Sequence, residues 1–88
     1  MTAPINPAVD FLWRPGCGFC AALHRQLTAA GVPMNEFNIW EDEGAADRVR
    51  AAANGNETVP TVYVGEHAMV NPSLDEVLAA IEKAGNTS

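Results

Sequence analysis

The chain has 88 residues, a formal net charge of −6 at pH 7 and two cysteines, and 48% of it is apolar. That is one small domain over residues 1–88, too apolar to be disordered and too short to hold a second domain. No apolar run approaches the ~20 residues of a membrane span. Five basic residues against eleven acidic ones exclude a phosphate-binding surface, so neither a membrane nor nucleic acid is expected as a partner. The start of the chain lacks the basic and apolar stretches of a signal peptide, so a cytoplasmic address is expected.

Residues 1–7, with Pro4 and Pro7, read as an irregular lead-in. Ala8 to Trp13 is a short apolar run suited to a central strand, and Arg14-Pro15-Gly16 breaks it. A helix is expected from Cys17 to Ala30, with Cys20, Leu23, Leu27 and Ala30 on one face and Gly31 as its stop. Met34 to Trp40 alternates and predicts a strand with Phe37 and Ile39 inward. Glu41 to Ala53 is acidic first and Arg-bearing later, the charge order of a helix, and Asn54-Gly55 ends it. Thr61–Val64 and His67–Val70 flank a Gly65-Glu66 turn and read as a hairpin. Asn71-Pro72-Ser73 opens a last helix, Leu74 to Ala84, with Gly85 at its end. The order β-α-β-α-β-β-α predicts an α/β fold, a four-stranded mixed sheet flanked by three helices.

Both cysteines stand where the first strand hands over to the first helix. A C-x-x-C beside a βαβ pattern reads as a thiol–disulfide redox site. A disulfide between Cys17 and Cys20 closes too small a loop to add much stability, so the pair needs a reason other than stapling. A helix N-terminus offers unpaired N–H groups and a positive dipole end, which stabilise a thiolate. Cys17 is therefore expected to ionise below the ~8.5 of a free thiol and to attack. Cys20, one turn in and on the apolar face, is expected to be buried and to act as the resolving thiol. Arg14 could add positive charge nearby. Two other readings stand beside this one: ordinary helix cysteines, or a metal site using Cys17, Cys20 and His24. The second lacks a further Cys or His pair at finger spacing.

Pro60, directly before a strand, is on base rates a trans proline. Its functional reading is a cis turn beside the cysteines, where Val59 offers its backbone to an extended substrate.

Arg14-Pro15-Gly16-Cys17-Gly18-Phe19-Cys20, followed by Thr58-Val59-Pro60, resembles the glutaredoxin family over about residues 8–84. The resemblance implies a thioredoxin-like fold, a cis Pro60, and a thiol–disulfide oxidoreductase. It implies catalytic Cys17, Cys20 and Arg14, and a substrate edge of Phe19, Thr58, Val59 and Pro60. Glutathione-using members carry glycines and an aspartate before the last helix, where this chain has Val70-Asn71-Pro72-Ser73-Leu74. That stretch, and Asn54-Gly55-Asn56-Glu57 before the Thr-Val-Pro triplet, look like the mycoredoxin branch. The implied thiol co-substrate is then mycothiol rather than glutathione, held by Asn71, Pro72 and Ser73, with protein mixed disulfides as partners, a monomeric state and no metal. Cys-Gly-Phe-Cys is also similar to the Cys-Gly-Phe-Ser of glutaredoxins that carry an iron–sulfur cluster. A third reading is an electron donor to ribonucleotide reductase, itself reduced by thioredoxin reductase.

Five other residues carry expectations. Trp13 is expected to pack, and Trp40 to offer a contact surface. Asp10 is either a solvated edge acid or a buried acid serving the resolving thiol. His24 is expected on the helix surface, and His67 on the edge strand.

Overall fold

A computed structural model describes residues 8–85; the expected lead-in over residues 1–7 lies outside them. The elements are β1 (Val9–Trp13), α1 (Gly18–Ala29), β2 (Met34–Asn38), α2 (Glu43–Ala52), β3 (Thr61–Val64), β4 (His67–Val70) and α3 (Leu74–Gly85). The sheet order is β2-β1-β3-β4. β1 runs parallel to β2, with Val9 opposite Met34 and Trp13 opposite Asn38. β3 is antiparallel to both β1 and β4. This is the mixed four-stranded sheet that the pattern predicts.

Two apolar clusters cover the sheet's two faces. Val9 and Phe11 of β1 pack with Cys20, Leu23 and Leu27 of α1 and Val77 and Ile81 of α3. Leu12, one residue out of phase, points the other way, to Ile39 and to Ala45, Ala46 and Val49 of α2. Small residues let α2 lie close to the sheet. Leu27 is fully buried, and trimming such a side chain to alanine costs about 2–5 kcal/mol.

Beyond one-residue trims at the ends of β1, α1 and α2, three boundaries differ from the sequence reading. β2 ends at Asn38, not Trp40: the Asn38 side-chain oxygen accepts the Trp40 N–H at 2.9 Å and its carbonyl accepts the Glu41 N–H at 3.0 Å, which turns the chain. Ile39 is still buried. The second helix starts at Glu43, not Glu41, because Asp42 caps it by accepting the Ala45 N–H at 3.0 Å. The last helix includes Gly85. Asn54 and Gly55 both take positive φ, 58° and 93°, and stop α2 as their types predict.

Candidate active site

The site is built at the end of the sheet where β1 finishes and β3 begins. Cys17 is the N-cap of α1, with extended backbone, φ −99° and ψ 106°. Its sulfur accepts the Cys20 N–H at 3.1 Å, taking the place that a Ser, Thr or Asp oxygen holds in most caps. No acidic residue lies in the first turn of α1, so nothing in that turn opposes a negative sulfur. Cys17 and Cys20 are joined as a disulfide, with Cα atoms 5.2 Å apart, inside the span such a bond requires. Cys17 is half-buried and Cys20 is 3% exposed. One sulfur faces the substrate side and the other faces the core.

The loop before β3 meets this sulfur. The Val59-Pro60 peptide bond is cis, as the resemblance implied. Cys17 Sγ lies 3.8 Å from the Val59 carbonyl oxygen. Val59 itself packs between the two apolar clusters, which fixes its backbone. The Thr61 hydroxyl, fully buried, donates to the Thr58 carbonyl at 2.8 Å and closes the loop on itself. Arg50 ties α2 to the approach of this loop by pairing with Asp47, Glu43 and Glu57. Those hydrogen bonds, led by Asp47, hold its guanidinium above its ordinary pKa.

Asn71 comes to the same place from β4. It has φ 49°, and its N–H donates to the Pro60 carbonyl at 2.7 Å. Pro72 is buried and Ser73 exposed. Ser73 and Glu76 form a reciprocal cap of α3: the Ser73 hydroxyl accepts the Glu76 N–H at 3.1 Å, and the Glu76 carboxylate accepts the Ser73 N–H at 2.8 Å. The Ser73 hydroxyl is thus engaged within its own helix.

Arg14 leaves β1 towards β2. Its guanidinium carbon lies 5.7 Å from the centroid of the Trp40 ring, and Nη1 donates to the Pro15 carbonyl at 3.2 Å. Trp40 is 63% exposed and Phe19 71% exposed, so both large aromatic rings stand in solvent. Trp13 packs against the core, as expected.

Two acid–base expectations change. Asp10 sits on the α2 face of β1, in phase with Leu12, and Cys20 is on the other face. It pairs with Arg48 at 2.8 Å and accepts from Asn35 at 3.1 Å, so it does not serve the resolving thiol. The Arg48 guanidinium in turn lies 4.4 Å from the Tyr63 ring centroid. His24 is half-buried rather than on the open helix surface. Its ring meets Phe11 edge-on at 5.5 Å, and Nε2 lies 3.1 Å from Glu36. His67 is exposed on the edge strand, as read.

One feature escaped the sequence reading: a cleft of about 350 Å³ between α1 and the β1–β2 edge, opening onto both cysteines. Its walls include Phe11, Trp13, His24 and Glu36. The residues that build it are 25 positions apart in the chain at their extremes, and only the parallel crossover brings them together. Among the described residues no cluster of three or more His, Cys, Asp or Glu side chains is placed to hold a metal ion.

The glutaredoxin family model matches residues 9–69. The chain belongs to the glutaredoxin family. A Mycobacterium tuberculosis protein named "Putative glutaredoxin" is 40% identical over 80 residues, covering 90% of this chain and 95% of that protein. Mycoredoxin 1 of Corynebacterium glutamicum is 37% identical over 68 residues, covering 75% of this chain and 82% of its own length. Among solved structures, the glutaredoxin of Archaeoglobus fulgidus superposes with a TM-score of 0.70 at 18% identity, covering 86% of this chain and 87% of that one. That likeness shows the fold, which is thioredoxin-like. Membership makes this glutaredoxin a thiol–disulfide oxidoreductase.

Proposed function

We propose that this glutaredoxin reduces mixed disulfides between protein thiols and mycothiol, with Cys17 as the attacking sulfur. The observation that carries the reading is the position of the Cys17 sulfur. It caps α1 and faces the Val59 carbonyl at 3.8 Å. In the first step the Cys17 thiolate attacks the mycothiol sulfur of the mixed disulfide. A Cys17–mycothiol bond forms, the old S–S bond breaks, and the protein leaves as a thiolate that takes a proton from water. A second mycothiol thiolate then attacks the mycothiol sulfur held on Cys17, releasing the Cys17 thiolate and mycothiol disulfide. A nicotinamide-dependent reductase returns that disulfide to the thiol. Cys20 provides a side route, attacking Cys17 to give the intramolecular disulfide and free mycothiol.

Arg14 contributes positive charge to the rim, and Val59 and Pro60 hold the substrate sulfur in line. Among the described residues the Val59 N–H has no hydrogen-bond partner, which leaves it for an extended substrate backbone. Phe19 and Thr58 border this groove, and Asn71, Pro72 and Ser73 form the edge for the small thiol. The choice of mycothiol rests on the 37% identity to Mycoredoxin 1 and on the absence of the glycines and aspartate that grip glutathione. Reduction of mixed disulfides by a thiol pool suits a reducing compartment, which favours the cytoplasm, and the protein is taken to act as a monomer. Among the described residues no helix is long and apolar enough to cross a membrane.

Parallel assays with mycothiol, glutathione and thioredoxin reductase as electron sources test this. Turnover is expected with mycothiol and its reductase. Turnover only with thioredoxin reductase would replace the reading with a direct electron donor, and a brown, cluster-bearing dimer would replace it with an iron–sulfur carrier.

A further inference from the structure

The cleft beside the cysteines brings together two basic side chains that have no ion-pair partner among the described residues. Of its five basic side chains, Arg48 and Arg50 are bound to carboxylates. Among the described residues Arg14, Arg25 and Lys83 have no ion-pair partner, although eleven carboxylates are present. Arg14 and Arg25 both line the cleft. The one carboxylate among its lining residues, Glu36, lies 3.1 Å from His24 Nε2, and the two arginines outweigh its single negative charge. Two guanidinium groups over an apolar floor of Phe11, Trp13 and Ala21 suit a ligand that is mostly apolar or backbone and carries a negative charge.

Position and length say which ligand. Val59, Pro60 and Asn71 lie on the β3 side of Cys17, and the cleft lies on the β2 side. The two halves of a mixed disulfide can therefore go to opposite sides of the attacking sulfur. Arg25 is eight residues beyond Cys17 on α1, which is about 12 Å at 1.5 Å per residue. An extended peptide covers that distance in three or four residues at about 3.3 Å each.

We propose that this cleft binds the protein half of the mixed disulfide, as an extended segment with an Asp or Glu three or four residues from its modified cysteine. The inference rests on the function proposed above and adds its substrate preference. Arg25 reads the carboxylate, Arg14 adds charge at the end nearer the sulfur, and the aromatic floor takes the side chains between. The acidic chain repels acidic partners at a distance, so the preference is local and is set at the docked stage.

The test uses short synthetic peptides, each with one cysteine as its mycothiol mixed disulfide and with Glu, Gln or Lys three or four residues to either side. The intact protein should reduce the best-placed Glu peptide with a kcat/KM about 1.5- to 5-fold above its Gln counterpart, the range of an exposed ion pair. The advantage should shrink as salt shortens the screening length below about 10 Å. R25E should reverse the order, so that the Lys peptide is reduced faster than the Glu peptide, and R25Q should abolish the difference. Arg25 is exposed, so neither change disturbs the core. Equal reduction of Glu, Gln and Lys peptides by the parent protein would overturn the docking site while leaving the proposed function in place. A Glu preference that survives R25E would also overturn it. Failure to reduce any of the peptides would overturn both.

Discussion

The starts of α1 and α3 share one capping pattern, a side-chain atom that accepts the N–H three residues on, and put it to opposite uses. At α3, Ser73 and Glu76 cap each other, and Asp75 and Glu76 place negative charge in the first turn. Every available stabilising device is applied there, and the positive end of the helix is neutralised. At α1 the cap is a sulfur, Cys17, and the first turn holds no acid. The positive end of that helix stays available. An oxygen cap with acids makes a stable helix end, and a sulfur cap without them makes a reactive one.

The largest effect should come from removing the sulfur cap. Cys17→Ser keeps a good capping group and should retain the fold, by circular dichroism, while turnover on a mycothiol mixed disulfide falls to background. Retained turnover would mean that capping chemistry is irrelevant to the reaction. Next in size is the stable end. Ser73→Ala should cost about 1 kcal/mol, read as a lower urea midpoint with an unchanged slope; a midpoint equal to the parent's would mean that Glu76 alone holds this end. The third change makes α1 resemble α3. Gly18 has no positive φ, and a side chain there meets nothing within 4 Å. Gly18→Glu puts an acid in the first turn and should move the pH midpoint of Cys17 alkylation upward by about 0.2–0.7, as 0.3–1 kcal/mol of dipole compensation implies. The smallest effect belongs to Arg14→Ala. It should displace the pH profile of Cys17 alkylation slightly upward, and an unmoved profile would remove Arg14 from the mechanism.

The reactive end was readable in the sequence because its signals are local. Cys17 and Cys20 stand one turn apart after Pro15-Gly16, and Pro60 directly precedes its strand. The order of elements and the apolar faces of α1 and α3 follow from spacing in the same way. What stayed hidden depends on partners distant in the chain or on turns that interrupt a pattern. Alternation carried β2 to Trp40, because it registers sidedness and not the Asn38 side chain that turns the backbone. Asp10 could be a buried acid or an edge acid until Arg48, 38 residues on, took its charge. The reciprocal cap between Ser73 and Glu76 went unread, because Asn71-Pro72-Ser73 reads first as the small-thiol edge. The cleft lined by Arg25, His24 and Glu36 has no sequence signal, since α1 and β2 meet there only through the crossover.

The central claim is that the start of α1 stabilises the Cys17 thiolate. Its most direct test is the alkylation rate of Cys20→Ser protein, in which Cys17 is the only thiol, measured against pH. The account predicts a rate that levels off well below the ~8.5 of a free thiol, together with retained turnover on mycothiol mixed disulfides. A rate still rising through pH 8.5 would contradict it.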